Sequence, residues 1–408
     1  MTITYASIKV IDELRKKLDE DKVLRDLLTD SLTQGYENAK VNLKGALFDA
    51  LEWPRNVPDY LGYLGKFSRW APRQDPGEAW SSGGNGQQEV YDRLCHFYYL
   101  VDQEVGGKIV QNDTWFKDWL VRYADAWGSF LDTTASFSEE QLVSFKLAPR
   151  YRVEDSMVGD KPNEPSGWLT FNQFFARELN PGLRPITDPT DNRTVAMPAD
   201  CVYKMRYPIK EDSSIDPTAG PLRLKLTHEV TSIPQLLSDR SAYGESFAGG
   251  TFVHYFLTPY SYHRFHTPVA GEVKECFPIQ GKVYLDVTID GNGQFDAPDS
   301  SADGYEFTQA RGVIVIDTAD SPYGDVGLVA VVPVGMAQVS SVHMTMTKPS
   351  QAPKDAQVPK GEEFGYFLFG GSDIILLFQK DKAPNINTDD GYRHYGTSVD
   401  GPPSLTEL

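Results

Sequence analysis

The chain has 408 residues and a mass of 45.6 kDa, enough for two or three domains and a core that needs no staples. Its 57 acidic against 39 basic residues give a net charge of -18, which argues against nucleic acid or an anionic membrane surface as main partner and favours a small substrate. Cys95, Cys201 and Cys276 are widely spaced with no CxxC, so neither a disulfide framework nor a zinc knuckle is signalled. The first residues are too polar for a secretory h-region, and no window approaches the roughly 18 apolar residues of a membrane span. The expectation is a cytosolic protein.

Residues 7 to about 33 carry Ile8, Ile11, Leu14, Leu18, Leu24, Leu27, Leu28 and Leu32 at helical spacing, predicting one or two amphipathic helices. Residues 53 to 88, with Pro54, Pro58, Pro72, Pro76 and the Ser81–Gly86 run, predict a loop. Helical pattern returns from Gln88 to about Val105 and from Thr114 to about Phe130, where Trp115, Trp119, Tyr123 and Trp127 form a stripe on one face, read as core. A linker rich in Asp, Pro and Gly (Val153 to Gly167) marks a boundary. Thr170 to Gln173 then has capping-box form and opens a short helix with Phe171, Phe174, Phe175 and Leu179 on its apolar face.

From Val195 onward the texture is β: Thr194 to Met197, Thr251 to Leu257, Gly271 to Phe277, Lys282 to Ile289, Gly312 to Asp317, Gly327 to Val334, and the runs on either side of Gly370-Gly371-Ser372. The fold class is α+β, with a helical N-terminal domain (1–155), a mainly β domain (165–380) and a surface tail (381–408).

Chemistry is concentrated in three stretches of the β-rich half. Asp200 follows a proline turn in Met197-Pro-Ala-Asp200, His263 and His266 stand three apart in Tyr262-His-Arg-Phe-His266, and Ser372 follows two glycines that expose the Gly371 carbonyl. Asp, His and Ser are the parts of an activated nucleophile, and each also has an ordinary use in a turn or on a surface. The histidine pair lacks HExxH and a nearby carboxylate cluster, so no metal is expected.

The motifs Phe171 to Arg177, Gly182-Leu-Arg184-Pro185-Ile186, Pro198-Ala-Asp200, Tyr262 to Gly271 and Lys360-Gly-Glu-Glu-Phe-Gly to Gly371-Ser372 occur in one order over roughly 165–380. In this the chain resembles the phosphatidylserine decarboxylase family of pyruvoyl enzymes. It looks closest to the branch with an added N-terminal helical domain that includes fungal tryptophan decarboxylases.

The resemblance implies that His266 acts as base and Asp200 orients it, so that Ser372 attacks the Gly371 carbonyl. Residue 372 becomes a pyruvoyl group, and fragments 1–371 and 372–408 stay associated. It implies further that this ketone forms a Schiff base with the substrate amine, that His263 returns a proton after CO2 leaves, and that no other cofactor is required. Two departures from the family pattern stand out. Asp373 follows Ser372 where the phospholipid branch has threonine, placing a charge beside the forming pyruvoyl, and Cys201 and Gln309-Ala-Arg311 also differ.

With an acidic N-terminal region and no polybasic anchor, the expected substrate is a free amino acid and not a lipid, and the resemblance alone implies that it is aromatic. The alternatives are phosphatidylserine and an unprocessed binding relative in which Ser372 stays a serine. An ordinary serine hydrolase is disfavoured because Gly370-Gly-Ser-Asp-Ile374 lacks the closing glycine of a nucleophile elbow.

Overall fold

The structure, a computed structural model, describes residues 2–80, 88–215, 232–297, 308–336, 342–346 and 356–404. The chain divides into two compact units, Met1–Phe175 with Lys282–Pro298, and Ala176–Gly281 with Asp299–Leu408.

The first unit is helical: α1 (Thr2–Glu20), α2 (Lys22–Asn42), α3 (Gly45–Ala50), α4 (Val57–Phe67), α5 (Glu89–Tyr99), α6 (Thr114–Leu131), α7 (Glu139–Lys146) and α8 (Phe171–Phe175). Side-chain caps start three of the long helices, with Asp21, Asn56 and Asp113 accepting from Leu24, Asp59 and Phe116 N–H. Three of the four aromatic residues in the α6 stripe are core, as expected, while Trp115 in its first turn is half-buried beneath Lys17 and Arg122. Trp119, Tyr123 and Trp127 are buried, and their polar atoms donate to the carbonyls of Val10, Leu64 and Trp70.

Two expectations for this unit fail. Residues 53–88 were expected to form a loop, yet they contain α4, because Pro58 falls in the first turn, where its missing N–H costs nothing; Ser81–Gly86 lies outside the described residues. The Lys282–Ile289 run is strand only at β7 (Thr288–Ile289), which pairs with β8 (Phe295–Asp296). This segment belongs to the helical unit, where Gln111 donates to the Leu285 carbonyl and Asp102 accepts from Val287 N–H.

A small hairpin, β1 (Met157–Val158) with β2 (Lys161–Pro162), occupies the linker. The second unit is built on an antiparallel sheet. In chain order its strands are β3 (Cys201–Pro208), β4 (Thr251–Leu257), β6 (Gly271–Ile279), β9 (Arg311–Asp317), β10 (Leu328–Met336), β12 (Ala356–Val358), β14 (Gly371–Phe378) and β15 (Tyr392–Arg393). Across the sheet the order is β12-β6-β9-β10-β14-β4-β3-β15. A smaller sheet joins β5 (Arg264–His266), β11 (Val342–Met344) and β13 (Glu363–Phe367) in the order β11-β13-β5.

One face of the large sheet buries Phe252, Val313, Val315, Val332, Val334, Ile375 and Leu377 against Ile233, Leu236 and Leu237 of α9 (Ile233–Leu237). Thr194 to Met197 forms no strand, only a bridge from Ala196 to Ser398. The expected surface tail is in fact tied down. Tyr392 and Arg393 pair with Val202 and Cys201, and Arg393 and Val399 are fully buried.

Candidate active site

Ser372 lies at the start of β14, between β10, where Gly335 opposes it, and β4, where Leu257 does. Isoleucine, leucine and phenylalanine at 374–378 make this a strand buried on both faces, and all five are buried. The chain enters through Gly370 at φ +154°, a conformation that side-chain-bearing residues rarely adopt. Ser372 has no solvent exposure, and its Oγ has no hydrogen-bond partner. A buried hydroxyl without a partner costs about 1–3 kcal/mol, so such a group invites a chemical explanation.

Asp200 sits just before β3. Arg184 donates to it through Nε at 3.3 Å and Nη2 at 2.9 Å, and Tyr395 N–H donates to Oδ1 at 2.7 Å. His266 ends β5, its own N–H bonded to the Pro198 carbonyl. Its Nδ1 lies 3.0 Å from the Gly361 carbonyl, which can only accept, so the ring proton belongs on Nδ1 and Nε2 carries the lone pair. Tyr262 Oη lies 3.2 Å from that Nε2 and donates to it. The Tyr395 ring stacks on the imidazole with centroids 4.0 Å apart and planes 7° from parallel.

Burial lowers the His266 pKa to about 4, with Arg264 acting in the same direction, while the Gly361 carbonyl and Asp200 oppose the fall. The ring is therefore neutral near pH 7, the form a base requires. Asp200 and His266 share no hydrogen bond. Tyr395 joins them instead, its backbone on the carboxylate and its ring on the imidazole.

His263 is buried, and its carbonyl accepts from Phe367 N–H. Since Glu363 opposes His266 on the same ladder, His263 stands at the end of β13 from which the chain runs on to Ser372. Burial and then the Arg177 guanidinium push its pKa well below the ordinary histidine value, against the pull of the Thr258 and Ser261 backbone. No hydrogen bond joins Ser372 Oγ to either histidine.

Asp373 was expected to bring its charge beside residue 372. By strand alternation it points to the opposite face, with Ile375 and Leu377, where His254 Nε2 lies 3.2 Å from Oδ1. Sequence reading missed His254, Tyr395 and the roles of Tyr262, Arg184 and Gly361. His254 and Tyr395 look like an ordinary strand residue and tail residue, whereas the other three stood inside quoted motifs.

A sequence model of the phosphatidylserine decarboxylase family matches residues 171–399, more than half of the chain, and spans Asp200, both histidines, Ser372 and Tyr395. The decarboxylase iboD of Amanita muscaria is 28% identical over 304 residues, covering 69% of this chain and 82% of that protein. Phosphatidylserine decarboxylase proenzyme 2 of rice is 29% identical over 338 residues, 78% of this chain but 48% of the rice protein, so the chain spans about half of that relative. A phosphatidylserine decarboxylase proenzyme of Chlamydia trachomatis is 31% identical over 233 residues, covering 57% of this chain and 66% of its own. The chain belongs to the phosphatidylserine decarboxylase family of carboxy-lyases.

Proposed function

We propose that this chain is a pyruvoyl-dependent decarboxylase of a free L-amino acid, aromatic in its side chain, that matures by cutting itself between Gly371 and Ser372. The observation that carries this reading is the buried, unpartnered Ser372 Oγ beside a glycine carbonyl at the head of a central strand. The same orphaned atom fits the prosthetic group that the family implies, since residue 372 is held in a dry setting with glycine before it.

In maturation Ser372 Oγ attacks the Gly371 carbonyl carbon and its proton passes to neutral His266. The peptide C–N bond breaks as the ester C–O bond forms. Loss of the residue 372 α-proton then expels the Gly371 carboxylate, and water displaces the nitrogen as ammonia, leaving the ketone. Asp200 acts at one remove, holding Tyr395 against the imidazole that takes the charge. A ketone at residue 372 would supply a carbonyl able to bind an amine and to act as electron sink for decarboxylation. His263 is assigned the return of a proton to the substrate carbon, in line with its place at the Ser372 end of the ladder.

The net charge of -18 favours a free amino acid over a bilayer lipid, and the aromatic preference rests on similarity to the tryptophan-decarboxylase-like branch. A second reading, phosphatidylserine as substrate, is favoured by the names of the rice and Chlamydia relatives. The deciding experiment is the denatured intact mass of purified protein, followed by decarboxylation assays with tryptophan, phenylalanine and phosphatidylserine vesicles. Two fragments, 1–371 and 372–408, the smaller blocked at its N-terminus, are expected. A single full-length species would mean a binding relative in which Ser372 remains a serine.

A further inference from the structure

Lys360 is buried, with 5% of its surface exposed, and no carboxylate among the described residues pairs with it, although the charges of Asp188 and Asp191 favour its protonated form from a distance. Its ammonium instead donates to the backbone carbonyls of Asp188 at 2.7 Å, Asp191 at 2.6 Å and Thr194 at 2.6 Å, with Thr187 at 3.4 Å. The acidic side chains of that loop are engaged elsewhere: Asp191 with Arg193, and Asp188 with the Thr194 hydroxyl. Carbonyl dipoles converging on one positive charge make the kind of cage that holds a monovalent cation, here supplied on a tether.

The tether leads directly to the proposed base. Gly361, the next residue, supplies the carbonyl that takes His266 Nδ1–H. The turn from Pro359 to Glu362 is wrapped around Thr267: its hydroxyl donates to the Pro359 carbonyl and accepts from Glu362 N–H, its N–H donates to Glu362, and its carbonyl accepts from Gly361 N–H. Gly361 has φ +87°, and a Cβ there would lie 2.6 Å from Ile186 Cδ1. On the far side, Thr187 N–H donates to the carbonyl of Gly396, the residue after Tyr395. The loop that Lys360 closes therefore reaches both the hydrogen-bond partner of His266 and the ring stacked on it.

We propose that Lys360 is a positioning residue for self-cleavage, an internal cation whose carbonyl cage fixes the Gly361 carbonyl and so dictates which nitrogen of His266 carries the lone pair. This rests on the reading of His266 as the base. It goes beyond that reading by assigning the base's orientation to a charge that touches neither the histidine nor Ser372.

The test uses the full chain carrying Lys360→Ala, with newly made protein followed for cleavage by mass. Cleavage is expected to slow about tenfold or more, since small misplacement of a reacting group costs up to about 100-fold. Propylammonium, a cation of the missing shape, is expected to restore part of the rate and to raise Tm, whereas tetramethylammonium does neither. Lys360→Met, which fills the stem without the charge, serves where the alanine variant does not fold.

In Lys360→Met a loosened turn admits water, so the acid limb of the cleavage rate moves up from near pH 4 toward the ordinary histidine range, with Asp200 and Arg264 still flanking the ring. Wild-type cleavage rates in the variants overturn the proposal. So does a lowered Tm with an unmoved acid limb, which would make Lys360 a loop staple only. Wild-type protein that never cuts at Gly371–Ser372 refutes the parent reading instead, whatever Lys360 does.

Discussion

His96 of the helical unit and His266 of the β unit are buried in much the same manner. Each is nearly sealed from solvent, each meets a tyrosine hydroxyl at 3.2 Å, Tyr63 for one and Tyr262 for the other, and each packs on an aromatic ring. Burial lowers the pKa of His96 to about 3 and that of His266 to about 4. They part company at the remaining nitrogen. His96 Nε2 makes no well-formed hydrogen bond, the Glu52 backbone only weakly favouring its protonation, and the one charge acting on the ring is Arg93, which resists it. His266 Nδ1 is fixed on the Gly361 carbonyl, and Asp200 favours the imidazolium. A depressed pKa and a tyrosine contact thus describe any core histidine, and what marks a candidate base is an assigned proton with an anion in support.

The widest break in this comparison comes from the nucleophile. Ser372→Ala is expected to leave one uncut chain with no decarboxylase activity, read by denaturing mass; normal activity in that variant would falsify the pyruvoyl mechanism. Next, His266→Ala should cut at least about 100-fold more slowly, the usual share of a general base, while His96→Phe cuts at the wild-type rate. Equal defects in both would erase the distinction drawn here.

His263→Ala is expected to mature yet turn over poorly, a split between fragment yield and kcat that separates its role from that of His266. The pH dependence is finer. Neutral His266 is the active form, so the cleavage rate should stay flat from pH 8 through the ordinary histidine range and fall only toward pH 4. Both histidines have folded values below the unfolded 6.5, so the unfolded chain binds more protons in that window, and stability is full above about 6.5 and declines as pH falls toward 4. His96→Phe should flatten part of that decline, visible as a smaller loss of Tm between pH 7 and 4.5.

Local patterns in the sequence account for the elements whose reasons are local. The β-branched and aromatic run Thr251–Leu257 predicts β4 to the residue, and the α6 stripe predicts a buried face. The Lys282–Ile289 run shows why pattern has limits, because apolar spacing says that a segment is buried without saying which unit buries it. At the site, the motif residues Asp200, His263, His266 and Ser372 were legible as chemical types. Their wiring was not, since Tyr395 reaches Asp200 across 195 positions and Lys360 reaches Thr194 across 166. Such contacts join loops between distant elements, which no short window encodes.

That strand order also bears on the life of the protein after the proposed cut. The 372–408 fragment supplies β14 and β15, which lie on either side of the β4–β3 pair, so it straddles two strands of the larger fragment. Maturation in that arrangement turns a single chain into an interlocked heterodimer without moving a strand. Unfolding then releases two molecules where synthesis made one, and recovery becomes a second-order search that slows on dilution. The enzyme so formed would have one opportunity to fold cheaply, before it became active, and its working lifetime would be set by how slowly the clasp opens.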